Sequence, residues 1–186
     1  PMTRLLQGDV GSGKTVVALH AGLVAVANRA QCAILAPTEV LAAQHFTGIE
    51  KYLAGSRVRR CLLTGKTPAG ERKNHYAAIA AGRMDLIVGT QALLESKVRM
   101  PRLGLVIVDE QHKFGVAQRA ILRNKPRDGR IHAPGLVPHY LVMTATPIPR
   151  TLSMTVFGDL DVSIIDALPP GRQPIVTRLI GSSEAA

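Results

Sequence analysis

Short apolar runs alternate with amphipathic stretches along almost the whole chain. The runs "RLLQ" (4–7), "QCAILAP" (31–37), "RRCLLT" (59–64), "DLIVGT" (85–90), "LGLVIVD" (103–109), "HYLVMTA" (139–145) and "DVSIID" (161–166) predict strands. Most are continuously apolar rather than alternating, as in strands buried on both faces. Between them, residues 14–28, 38–54, 69–82, 90–96, 113–123 and 149–157 predict helices. This βαβα rhythm predicts an α/β fold, a mostly parallel sheet with helices on both faces and a ligand at the carboxyl ends of the strands. Residues 124–138 are dense in Pro, Gly and charge and predict a loop. "ALPPGRQP" (167–174) has the composition of a stiff polar linker, and "IVTRLI" after it opens a further strand.

Composition narrows this picture. At 186 residues the chain has the size of one domain, and its hydrophobic share of 46% suffices for a sizeable core. Trp is absent and aromatics make up 3%, so that core must be built from Ala, Val, Leu and Ile. A formal charge of +10 favours a polyanionic partner, nucleic acid or a phosphorylated ligand, although a basic protein without such a partner has the same balance. Cys32 and Cys61 lie far apart in apolar contexts without metal-ligand spacing, and predict buried free thiols in a cytoplasmic protein. No signal-peptide pattern opens the chain, and His20, Asn28 and Arg29 interrupt its longest apolar stretch, so no membrane role is expected.

The chemistry begins at "GDVGSGKT". Gly8, Gly11, Ser12, Gly13, Lys14 and Thr15 fit G-x-x-x-x-G-K-[ST] between a predicted strand and a predicted helix. Glycines permit a tight loop whose backbone N–H groups face an anion, and the helix adds its positive end. In such a loop Lys14 reaches the β- and γ-phosphates and Thr15 ligates Mg²⁺. At the end of a buried strand, "LVIVDEQH" supplies two acids. Asp109 is placed to hold Mg²⁺ through water, and Glu110 to align or deprotonate the attacking water. No acceptor-binding signature accompanies the pair. Hydrolysis of a nucleoside triphosphate with Mg²⁺ is therefore expected rather than transfer to a small molecule.

"GDVGSGKT", "APTEVLAAQH", "DEQHKFG" and "MTATPIPRTL", in this order, resemble superfamily 2 helicases and more closely the RecG-type helicases that remodel branched DNA. "FGDLDVSIIDALPPGRQPI" is similar to the segment joining their first RecA-like motor domain to the second. Transcription–repair coupling translocases share the "TATPIPRTL" box, but the His at position 112 favours RecG. The resemblance implies a RecA-like P-loop NTPase domain over residues 1–166, truncated at its start, a linker over 167–174, and the beginning of a second RecA-like domain over 175–186. It implies that Gln111 and His112 join the γ-phosphate site to Thr144 and Thr146, relaying nucleotide state to DNA grip. It further implies DNA-backbone contacts at Thr38, at Thr64 and Gly65, and at Gly89, Thr90 and Gln91. Without the family, each of these three places is equally a cap or a turn. Arg150 has no assigned role.

RecG-type helicases also carry a branch-recognising wedge domain and a second RecA-like domain whose arginines complete the site. Those parts are the expected partners, with branched or forked DNA, and the motor domain alone is expected to hydrolyse ATP poorly. A nucleic-acid-binding module with a vestigial nucleotide site is the alternative. Arg57, Arg59, Arg60, Lys66, Arg72 and Lys73 form either a backbone-tracking surface or a solvated face. A monomer is the working expectation. The phosphate-loop strand is expected to be central, beside a neighbour of the Asp109 strand.

Overall fold

All seven apolar runs form strands of one sheet in the computed structural model, which describes residues 1–110, 137–145 and 160–166. The strands are β1 (Thr3–Gly8), β2 (Gln31–Leu35), β3 (Arg60–Leu63), β4 (Leu86–Gly89), β5 (Leu103–Asp109), β6 (His139–Thr144) and β7 (Asp161–Ile165). Their order is β3-β4-β2-β5-β6-β1-β7, and every pairing is parallel. The doubly wound α/β fold expected from the sequence is therefore present. β1 does lie beside β6, the neighbour of β5, but it is second from an edge of this sheet rather than central.

Among the described residues three helices lie on the two faces: α1 (Lys14–Ala27), α2 (Glu39–Tyr52) and α3 (Ala69–Ala80). α1 and α2 share one side with Leu6, Ile34, Val88, Leu105, Ile107 and Met143, through Ala18, Leu19, Ala42 and Ile49. α3 packs Ile79 on the other side, against Leu63, Ile87, Val106 and Val108. Alternation along β5 thus sends Leu105 and Ile107 towards α1 and α2, and Val106 and Val108 towards α3. This parity matters because it aims Asp109, two residues beyond Ile107, at the α1–α2 face. The helix expected over 90–96 is only a 3₁₀ turn, Gln91–Leu94. Its apolar residues are contiguous, Leu93 alone is buried, and the chain must return at once to bury Val98 and Met100. The helices expected at 113–123 and 149–157, most of the 124–138 loop and the 167–174 linker lie outside the described residues.

Three buried polar or thiol side chains in the sheet stand apart from the candidate chemistry. Gln31 is fully buried, yet its amide donates to Ile79 O and Met84 O and accepts from Arg102 N–H, so its polar atoms are satisfied. Cys32 and Cys61 are buried free thiols, and burial pushes each up to about 12. Gly89 has a sharper constraint. A Cβ there would fall inside the envelope of the Leu63 carbonyl on β3 and 2.9 Å from Leu93 Cγ. Gly89→Ala is expected to cost about 2 kcal/mol or more, because backbone must move to admit the methyl. Urea denaturation measures this, and an unchanged midpoint would show that β3 and β4 can separate freely.

Candidate nucleotide site

The first β-strand ends at Gly8, and α1 begins at Lys14, so the phosphate-loop residues fill the turn between them at the carboxyl edge of the sheet. Gly11 and Gly13 have φ of 81° and 94°, in the left-handed region that favours glycine. Gly13 caps α1, and Val16 and Val17 N–H both donate to its carbonyl. Lys14 Nζ lies over the loop, donating to Gly8 O at 2.8 Å and Asp9 O at 2.7 Å. Thr15 follows in the first turn.

Two features fit this loop to a triphosphate. Ser12 Oγ is buried and makes no hydrogen bond among the described residues, an uncommon condition for a hydroxyl and one that an anionic acceptor relieves. A Cβ on Gly8 would stand 2.6 Å from that same oxygen, so glycine keeps the loop's throat open. Among the described residues no three His, Cys, Asp or Glu side chains cluster as a metal cage. A Mg²⁺ site of hydroxyl, carboxylate and phosphate oxygens requires none.

Sheet register brings the two acids to the same edge. Gln7 on β1 pairs with Thr144 on β6, and Met143 on β6 pairs with Asp109 on β5. With only β6 between them, Gly8 and Asp109 stand about 10 Å apart across the sheet, a span suited to a nucleotide's phosphates and metal. Glu110 then turns back. Its φ is 50°, rare for a residue with a side chain, its N–H donates to Met143 O at 3.0 Å, and its Oε1 accepts from Ala145 N–H at 3.3 Å. The acid pair is thereby fastened to the end of β6, where Thr144 is buried. Gln111, His112 and Thr146 lie outside the described residues, as does Arg150.

The three places expected to touch DNA are partly joined. Thr38 caps α2, its Oγ1 accepting from Leu41 N–H at 3.3 Å. Glu39 beside it accepts from Lys66 N–H at 3.1 Å, and a Cβ on Gly65 would lie 2.9 Å from the same carboxylate oxygen. Thr64 Oγ1 accepts from Lys66 N–H, and Arg72 holds the turn from the other side through Gly65 O at 2.6 Å and Thr67 O at 2.9 Å. So the start of α2 and the 64–67 turn form one unit, a union that sequence spacing did not reveal. Thr90, at the end of β4, is buried and donates its N–H to Leu63 O at 3.4 Å.

Of the six clustered basic residues, four are occupied within the chain. Arg59 is bidentate to Asp85 at 2.7 and 2.9 Å, Arg60 binds Glu50, Lys66 reaches Glu39 at 3.3 Å, and Arg72 holds the turn just described. Burial alone would raise the Asp85 carboxyl, but hydrogen bonds from Arg59 and the charges of Arg59 and Arg102 bring it below its ordinary value. Arg57 and Lys73 are exposed. The cluster is mainly a locally paired face.

Sequence reasoning missed His45. Its Nε2 lies 2.7 Å from Asp109 Oδ2, and both side chains are largely buried. A signal was present: His45 lies three residues after Ala42 and four before Ile49, on the stripe of α2 that packs against the sheet face to which Asp109 is aimed.

Comparisons with known proteins agree with this geometry. The DEAD/DEAH box helicase model matches residues 3–155. The ATP-dependent DNA helicase RecG of Aquifex aeolicus is 48% identical over 99% of this chain and 22% of its own length. The RecG of Streptococcus pneumoniae is 54% identical over 96% of this chain and 25% of its own. A solved structure of RecG bound to a three-way DNA junction superposes with a TM-score of 0.73 at 40% identity, covering 94% of this chain and 22% of that one. The chain thus spans about a quarter of the length of these relatives. No helix among the described residues is long and apolar enough to cross a membrane. With its loop, acid pair and parallel sheet in register, the chain belongs to the DEAD/DEAH box helicase family and matches RecG helicases over nearly its whole length.

Proposed function

We propose that this chain is the ATP-binding motor domain of a cytoplasmic, ATP-dependent DNA helicase acting on branched DNA in recombination and repair. Residues 1–166 form the motor domain, 167–174 the linker and 175–186 the start of a second RecA-like domain. The observation that carries this proposal is the register that sets the Lys14 loop and the Asp109–Glu110 pair at one sheet edge, two strands apart. Mg–ATP, when bound, supplies the phosphoanhydride whose cleavage drives the motor. The loop amides from Gly8 to Gly13 and Ser12 Oγ surround the phosphates, and Lys14 neutralises their charge. Thr15 and Asp109 hold the metal, Asp109 through water. Glu110 orients the attacking water and accepts its proton.

Gln111 and His112 carry the state of that site towards Thr144 and Thr146. Thr38 at a helix cap, Thr64 and Gly65 at a turn, and Gly89 and Thr90 at the end of β4 are the places that meet the DNA backbone. A wedge domain and a second RecA-like domain are the working partners. Arginines from the latter are worth roughly 10³–10⁵ in rate, so the motor domain by itself hydrolyses ATP slowly. Two titrations on the chain test this, one with fluorescent Mg–ATP and one with forked DNA, each between 50 and 200 mM salt. Both ligands are expected to bind. DNA affinity should fall at least about tenfold over that range, and nucleotide affinity much less. Failure to bind Mg–ATP would overturn the motor assignment. Nucleotide binding without hydrolysis, even when a second RecA-like domain is joined, would make the site vestigial.

A further inference from the structure

We propose that His45 is the positioning residue for Asp109, fixing the carboxylate in the orientation that receives the metal; this rests on the nucleotide-site assignment above. His45 sits in the middle of α2, and its Nε2 is 2.7 Å from Asp109 Oδ2, with the two side chains 13% and 14% exposed. An ionised carboxylate can only accept, so His45 donates from Nε2. Placing an imidazole on the stripe of α2 that otherwise buries Ala42 and Ile49 carries a desolvation cost unless the ring is hydrogen-bonded. Asp109 provides that bond.

In return, the bond fixes rotation about the Asp109 Cβ–Cγ axis. Asp109 ends a seven-residue strand, so its backbone is rigid and its remaining freedom is rotation about Cα–Cβ and Cβ–Cγ, both of which a bond to one carboxylate oxygen restrains. A carboxylate that serves a metal, directly or through water, depends on such partners for its aim. Their loss typically lowers metal affinity or activity 10- to 100-fold. A bond that served only to join α2 to β5 would behave otherwise, weakening the fold and every ligand alike.

The test measures fluorescent ATP binding to the chain with Mg²⁺ and with EDTA, and follows Mn²⁺ in the ATP complex by electron paramagnetic resonance. In His45→Ala the gain in affinity conferred by Mg²⁺ should shrink about 10-fold or more, affinity in EDTA should change less than about twofold, and the bound Mn²⁺ signal should fall. His45→Gln places an amide N–H where Nε2 was and should restore most of the gain. An unchanged Mg²⁺ gain in His45→Ala would overturn the proposal. So would an equal loss with and without metal that glutamine does not restore. If the unaltered chain bound no nucleotide in either buffer, the nucleotide assignment itself would fall, a result distinct from both.

Discussion

Lys14→Ala is expected to weaken Mg–ATP binding by about 100-fold or more while leaving the fold intact. The size follows from what the ammonium does in the loop. Lys14 Nζ is partly buried and satisfied by Gly8 O and Asp9 O, both carbonyls of the turn that would face the phosphates. It is thus held within a few ångströms of the anion's place rather than extended into solvent, so little side-chain entropy remains to be lost on binding. A hydrogen bond to a charged group contributes roughly 1.5–3 kcal/mol, and two such bonds to phosphate oxygens correspond to at least a hundredfold in affinity. The backbone amides and the end of α1 remain in the variant, so weak residual binding is expected. The side chain fills no core, but the variant gives up its bonds to Gly8 O and Asp9 O, so a modest loss of stability accompanies the change without unfolding the chain. Titration of fluorescent ATP, with a thermal melt alongside, separates the two effects. An affinity within about threefold of the unaltered chain would mean that the loop holds its anion by amides alone.

The central strands were legible because their runs are apolar on both faces, whereas β3 and β7, at the sheet edges and only partly buried, were legible as short apolar-rich runs between turn signals. The phosphate loop was legible for a different reason: its chemistry is local, with glycines, lysine and threonine contributed by consecutive residues. What spacing could not reveal depends on distant partners. His45 and Asp109 are 64 positions apart, and each is unremarkable in its own segment. Their meeting requires the parity of β5, the stripe of α2 and the adjacency of β2 to β5 together. The clasp of Glu39 on the 64–67 turn is equally invisible, since a glutamate in the first turn of a helix is already accounted for by the helix dipole. The misjudged 90–96 helix has a local cause. "QALL" has helix-forming residues, but buried Val98, five positions after buried Leu93, falls well off the helix face that Leu93 would share with Met100. The off-centre place of β1 is a matter of strand order, which crossover lengths alone do not determine.

Glu110→Gln is expected to lower hydrolysis about 10²- to 10⁴-fold in protein where the motor domain is joined to a second RecA-like domain, with nucleotide affinity nearly unchanged. Glu110 occupies a left-handed backbone conformation at φ 50°, which costs on the order of 1 kcal/mol for a residue with a Cβ. Its own N–H donates to Met143 O and its carboxylate accepts from Ala145 N–H, and both bonds help to hold it there. The strained turn therefore fastens the acid pair to the end of β6. Glutamine keeps an oxygen for the Ala145 bond and nearly the same volume, so the turn should persist. What it loses is the ability to take a proton from water. Glu110→Ala differs, for it also frees Ala145 N–H and should destabilise the end of β6 by about 1 kcal/mol. Single-turnover hydrolysis with forked DNA measures the chemical step, and nucleotide titration measures binding. Hydrolysis within about threefold of the unaltered enzyme would remove Glu110 from the proton path. Its strained backbone would then serve only to tie β5 to β6. A large loss in the glutamine variant without loss of affinity would locate its contribution in the transition state, because substrate binding would be preserved while the reaction is not.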